Sequence, residues 1–233
     1  GSSYDFHKLS SYPNLQQFII WTEIDLELGN IPLNTSLKSL TIFGYMDNLS
    51  FAEKFPNLEV LNISNNEEPT NIDAVAQLKN LRVFNLFDEP GTTGLSALDD
   101  LDLLEWITLP SDISDEDLVS FVAKHPGIKI AGVTTYEKVV DLRSLQSLKS
   151  LTCLSIYGDT LDIESLNGFD QLEYLGVPQE ILIDSNNFEL LKAKFPETII
   201  VPNDVGICLG YVWLLLFIPT LALVSFLFSY YQR

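Results

Sequence analysis

Apolar residues recur along this chain in one phrase. Leu58, Leu61 and Ile63 are apolar, whereas Glu59, Asn62 and Ser64 around them are polar. Leu61 and Ile63 alternate with polar neighbours, the pattern of a short strand with one face turned inward. A turn-rich stretch follows, then Ile72, Val75 and Leu78 at helical spacing, and the phrase starts again at Leu81. The same three positions are filled by Leu15, Phe18 and Ile20; by Leu37, Leu40 and Ile42; by Leu81, Phe84 and Leu86; and by Leu104, Ile107 and Leu109. A weaker copy at Ile128, Ala131 and Val133 precedes good ones at Leu151, Leu154, Ile156 and at Leu172, Leu175, Val177. Successive first positions lie 22, 21, 23, 23, 24, 23 and 21 residues apart. A strand this short cannot bury its own face. Copies at near-constant spacing therefore predict a solenoid in which each copy covers the next.

The returning segments differ in style. Those at 72–78, 95–101, 142–148 and 163–169 predict one or two helical turns each. Fuller helices are predicted over 49–55, 114–125 and 188–195. Ser114 is the expected N-cap of the second, where Asp115, Glu116 and Asp117 suit the positive end of the helix dipole. The three helices end on matching phrases, Lys54-Phe55-Pro56, Lys124-His125-Pro126 and Lys194-Phe195-Pro196, in which proline stops the helix. A last partial strand is expected at 198–201.

The spacing of 58–66, L-x-x-L-x-L-x-x-N closed by Asn66, resembles the signature of the leucine-rich repeat family. The helix endings in proline resemble its bacterial, irregular members. The resemblance covers 15–201 and implies an α/β fold: a leucine-rich repeat solenoid with a curved parallel sheet and short helices on its convex side. It also implies an N-terminal cap over 1–14. Pro110 and Pro178 directly follow the strands ending at Leu109 and Val177. The asparagine ladder of the family is therefore incomplete, and irregular turns are expected there.

Charge narrows the class of partner. The 233 residues include 32 acidic and 13 basic ones, for a net charge of −19. Such a balance repels phosphates and excludes nucleic acid, while it suits a basic partner. A hydrophobic fraction of 46% excludes disorder. The two cysteines, Cys153 and Cys208, sit in segments of different character and predict no disulfide framework.

In a repeat of this kind the three apolar positions point inward and the residues between and after them face out of the concave sheet. One such row reads Gln17, Ser39, Val60, Val83, Trp106, Ile130, Cys153, Tyr174. The middle row reads Ile19, Thr41, Asn62, Asn85, Thr108, Gly132, Ser155, Gly176. The third reads Trp21, Phe43, Ser64, Phe87, Pro110, Thr134, Tyr157, Pro178. None of these residues is charged. Depletion of charge with enrichment of aromatics marks a binding surface, and Trp21, Phe43, Phe87, Trp106, Tyr157 and Tyr174 are the expected contact stripe for a protein partner. The plainer account is that these are strand formers chosen for sheet propensity, with the acidic residues solvating the convex side.

No catalytic, cofactor or metal site is expected. The acidic runs at 99–102 and 112–117 lack calcium-loop spacing and read as solvated loops or helix starts. His7 and His125 have no ligand spacing, and His125 stands where phenylalanine stands in the two sister phrases. Cys153 has no histidine nearby in sequence and reads as a small exposed or half-buried residue on a strand. Three N-glycosylation sequons, beginning at Asn34, Asn48 and Asn62, are expected chance matches in a chain rich in Asn and Ser.

Residues 207–231 contain no charged side chain. At ~1.5 Å per residue they are long enough to cross a bilayer of ~30 Å. A single transmembrane helix is expected there, joined to the repeats by a linker at 202–206. Trp213, Tyr230 and Tyr231 are placed as interfacial anchors, and Arg233 favours the cytoplasmic side for the tail, with the repeats outside. No signal peptide is visible, which favours tail insertion and the opposite orientation, and Gly1-Ser2-Ser3 reads as a cloning scar or a trimmed start. The expectation is a non-enzymatic, membrane-anchored repeat protein that holds a protein partner in a membrane complex and contacts lipid through 207–231. The alternative is an accessory subunit whose helix packs on a catalytic membrane chain.

Overall fold

The structure is a computed structural model that describes residues 6–21, 28–44, 46, 48–64, 71–87, 91–110, 113–134 and 141–203. Residues 207–231, the expected transmembrane helix, lie outside the described residues, as does Asn66. Among the described residues no helix is long and apolar enough to cross a membrane.

The described strands are β1 (Gln17–Trp21), β2 (Ser39–Phe43), β3 (Val60–Ser64), β4 (Val83–Phe87), β5 (Trp106–Thr108), β6 (Ile130–Thr134), β7 (Cys153–Tyr157), β8 (Tyr174–Val177) and β9 (Ile199–Pro202). They form one parallel sheet in strictly sequential order. Each strand from β2 to β8 pairs with the copies before and after it, as in a leucine-rich repeat solenoid. The register follows the sequence phrase: Leu40 opposes Leu61, Leu61 opposes Phe84, and Phe84 opposes Ile107. A one-residue slip would turn each of these side chains out of the core, so the apolar positions fix the register.

Between the sheet and its returning segments lies a single core. Leu37, Leu40, Ile42, Leu58, Leu61, Ile63 and Phe84 are fully buried in it, with Phe51, Phe55 and Phe169 contributed by the returns. At the N-terminal end, Phe6 and Leu9 of the 3-10 helix Phe6–Ser11 are buried against the first repeats.

The returns carry 3-10 turns in most repeats and α-helices in two. Helix α1 (Asp115–Lys124) starts as expected: Ser114 Oγ accepts from the Asp117 backbone N–H at 3.0 Å. Two helix expectations need correction. Residues 49–55 form a 3-10 helix, Ser50–Lys54, closed by Phe55 N–H donating to the Ala52 carbonyl. Its repeat is one of the two shortest, at 21 residues, whereas the 24-residue repeat holds α1. A 3-10 turn advances about 2.0 Å per residue against about 1.5 Å for an α-helix, so it spans the return with fewer residues. The helix expected at 188–195 is instead α3 (Ser185–Lys194), preceded by α2 (Gln179–Ile183). The Asp184 carboxylate accepts from the backbone N–H groups of Asn186 and Asn187, and this cap starts α3 three residues early. Ahead of Pro110, β5 stops at Thr108, one residue short of the expected Leu109.

Candidate functional site

Strand register fixes the composition of the concave face. Across the sheet Gln17, Ser39, Val60, Val83, Trp106, Ile130, Cys153 and Tyr174 pair in turn. So do Ile19, Thr41, Asn62, Asn85, Thr108, Gly132, Ser155 and Gly176 in the middle row. The third row runs Trp21, Phe43, Ser64, Phe87 along the first four strands and Thr134, Tyr157 farther on. The six candidate aromatics therefore occupy two rows, not one stripe. Trp21, Phe43, Phe87 and Tyr157 stand toward the C-terminal ends of the strands, Trp106 and Tyr174 toward their starts, with the middle row between.

Their exposure differs along the sheet. Trp21 is 80% exposed and Phe43 37%, and their rings lie 5.6 Å apart at 45°. Tyr174 is 40% exposed at the far end, seven strands away, roughly 30 Å along the sheet. Trp106 and Tyr157 are half-buried. Phe87 closes β4 beside Ser64, and its side chain lies outside the described residues.

The expectation that all three rows open to solvent needs correction at their centre. Asn85, Thr108, Thr134 and Cys153 are buried, as are Pro110 and Pro178. The first cause is a chain of side-chain hydrogen bonds. Thr108 Oγ1 donates to Asn85 Oδ1 at 3.0 Å, Asn85 Nδ2 to Asn62 Oδ1 at 2.9 Å, and Asn62 Nδ2 to Thr41 Oγ1 at 3.0 Å. Four neutral side chains on four successive strands thus line the floor, all donating in one direction. Neutral groups can be buried this way because each finds a partner. The second cause is cover from neighbouring repeats. A methyl group at Gly132 would lie 2.9 Å from Thr108 Oγ1 and 3.2 Å from Tyr157 Cε2, so glycine leaves the space that the Tyr157 ring fills. Asn203 does the same over Gly176. Its Nδ2 donates to the Ile156 carbonyl and its backbone N–H to the Val177 carbonyl, both at 2.8 Å. Residue type and row position, a Thr-Asn-Asn-Thr run, were the available signal for the hydrogen-bond chain.

Charge returns at the edge where the strands begin. The residue before each strand is Lys38, Glu59, Arg82, Glu105, Lys129, Thr152 or Glu173 from β2 to β8. Each donates its backbone N–H to the corresponding residue of the preceding repeat, which holds these positions in phase. The signs alternate over the first five. Lys38 pairs with Glu59 at 2.8 Å, and Glu105 pairs with both Arg82 and Lys129 at 2.8 Å. Hydrogen bonds from Lys129 and then Arg82 hold the Glu105 carboxyl below the usual range, and Glu105 in turn raises Arg82. These pairs are partly exposed, so each contributes little to stability; their arrangement cancels charge along this rim.

The other single residues singled out by the sequence have structural surroundings. Cys153 is buried rather than half-exposed, and burial pushes its thiol up to about 11, which keeps it protonated and unreactive. His125 is buried, stacked on Phe121 with centroids 4.3 Å apart. Its Nδ1 lies 2.9 Å from the Phe121 carbonyl and its Nε2 2.8 Å from the Leu98 carbonyl. Of the sequon asparagines, Asn34 is buried with its Oδ1 accepting from Ser36 and Leu37 N–H, and Asn62 belongs to the hydrogen-bond chain.

Similar architecture occurs in solved bacterial proteins. An internalin of Listeria monocytogenes superposes with a TM-score of 0.55 at 17% identity over 84% of this chain and 62% of its own. An internalin C2 of the same organism gives 0.50 at 16% identity over 78% of this chain and 77% of its own. A leucine-rich repeat protein of Leptospira interrogans gives 0.50 at 18% identity over 76% and 54%. At these identities the likeness is one of fold, the leucine-rich repeat solenoid. This chain spans under two thirds of the first and third of these structures. No protein-family model and no curated protein matches the sequence.

Proposed function

We propose that this chain is a membrane-anchored recognition subunit that captures a protein partner on the concave face of its solenoid. One observation carries the reading. In a chain of net charge −19, the three rows of that face contain no charged residue, while Trp21, Phe43 and Tyr174 remain exposed on it. Exposed aromatics on one face oppose solubility and are the residue types that dominate binding energy. The hydrogen-bond chain in the middle row of β2 to β5 supports the same reading, because its amides and hydroxyls satisfy one another and covering them buries no charge.

The uncharged segment 207–231 is the anchor in this proposal, and Arg233 beyond it favours the cytoplasmic side for that end of the segment, with the repeats outside. The same segment supports a second reading, in which it packs on another membrane chain and the repeats serve as its accessory domain. Gly206 and Gly210 offer a small-residue pair for such packing.

Copurification from native membranes tests both. The double substitution Phe43→Ser, Trp106→Ser is expected to lose the partner while circular dichroism stays unchanged. A partner kept by this variant but lost on deleting 207–231 overturns the first reading in favour of the second. Recovery of the full chain in the aqueous fraction after cell breakage would remove the anchor from both.

A further inference from the structure

The distribution of charge around the concave face says what kind of partner segment fits it. Along the strand-start edge the charges are matched: Lys38 with Glu59, and Glu105 with both Arg82 and Lys129. That edge presents a ligand with no net field. The chain's excess of acid therefore lies elsewhere. At the strand-end edge, Asp159 follows β7 and Glu180 follows β8, both exposed. Among the described residues the uncharged face is thus bordered at the strand starts by paired ions and, beyond β7 and β8, by the exposed carboxylates of Asp159 and Glu180.

We infer that the segment held on this face is a cationic peptide stretch of a partner protein, with apolar or aromatic side chains interleaved among lysines and arginines. The inference rests on the concave face being the partner surface. Apolar side chains of the segment cover the Trp21–Phe43 pair and Trp106, where they remove exposed aromatic surface from water. Its cations turn toward the strand-end edge, where Asp159 and Glu180 stand, and stay at the solvated rim without being buried. The net charge of −19 draws such a segment in at long range and repels an acidic one of equal apolarity. Nothing on the face itself would neutralise a carboxylate, so an acidic segment would meet desolvation without compensation.

The test uses the full chain in nanodiscs of phosphatidylcholine, with empty discs as the blank. The probes are fluorescent peptides of about 15 residues, long enough at about 3.3 Å each to cross the sheet. One alternates lysine with leucine and tryptophan, one carries glutamate in place of lysine, and one carries serine in place of the apolar residues. The lysine–apolar peptide is expected to bind at least about tenfold tighter than either of the others, and to weaken by about fivefold or more between about 50 and 500 mM salt. The variant Phe43→Ser, Trp106→Ser is expected to lose about tenfold in affinity for it. Val119→Ser, an exposed change on α1, is expected to leave binding unaltered. Equal binding of the glutamate peptide overturns the cationic inference and leaves the concave reading standing. Tight binding of the lysine–apolar peptide that ignores Phe43→Ser, Trp106→Ser overturns the concave reading itself.

Discussion

Asn85 lies in the middle of the sheet, 2% exposed, with its amide committed at both ends. Removing it strands two partners at once: the Thr108 hydroxyl loses its acceptor and Asn62 Oδ1 loses a donor. A buried polar group left without its bond costs about 1–3 kcal/mol, so Asn85→Ala is expected to lose about that much stability, measured by urea denaturation. Thr108→Val removes one donor and keeps the shape, and it should cost less; equal losses would count against a chained arrangement. His125 makes the opposite case. Phe55 and Phe195 fill the same place at the ends of the sister phrases, and both are buried. His125→Phe is therefore expected to keep the fold, while His125→Ala leaves a cavity and loses about 2–4 kcal/mol in the same assay. Much of this was legible in the sequence. The three helix-ending phrases identify His125 as a core residue. The two carbonyls its ring meets were not legible, because Leu98 belongs to the preceding repeat and only folding brings it within reach.

At the scale of the element, the alternating ions before β2 to β6 act as a guide to register more than as a source of stability. A repeat slipped past its neighbour by one copy would bring like charges together, Lys38 beside Arg82 or Glu59 beside Glu105. Glu105 is the hinge of this set, since it serves two cations. Its folded value is held low, first by the hydrogen bond from Lys129 and then by that from Arg82. A depressed carboxylate contributes stability that is fully present above its unfolded value and lost as pH falls through the folded one. Acidification through and below the ordinary glutamate range near ~4.3 should therefore weaken the fold. The variant Glu105→Gln should flatten that part of the curve, read from denaturation midpoints against pH. Matching slopes for the two proteins would remove Glu105 from the account. Strand positions were readable from apolar spacing because the core admits one register. The type of each return was less readable. A 3-10 turn and an α-helix place apolar residues alike over so few positions, and the choice at Ser50–Lys54 follows the length of its repeat, a property of the stack.

For the whole molecule, the sequential strand order means that each repeat is supported only by its neighbours. Stability then varies along the axis. A central repeat has two covering partners, whereas β9 has β8 on one side only among the described residues, and Ile200 is only half-buried although it stands at a core position. What holds β9 is local. Asn203 bonds back to Val177 and Ile156, two repeats deep, over the space that Gly176 leaves open. A methyl at that position would collide with the Asn203 amide and break the tie. Gly176→Ala is accordingly expected to loosen the last repeat without disturbing the middle. Phe84→Ala, at a fully buried central position, is expected to cost about 3–5 kcal/mol and to destabilise the repeats on both sides. Amide hydrogen exchange separates the two patterns: Gly176→Ala should raise exchange in β8 and β9 alone, and Phe84→Ala should raise it across β3 to β5 and beyond. Uniform loss of protection from either change would mean that the repeats unfold as one unit, and the nearest-neighbour description would fail. The sequence made the stack visible because its apolar phrase recurs in phase. It could not show how β9 is tied to the stack, since that depends on one asparagine reaching back across 47 residues to a carbonyl, a contact with no period to betray it.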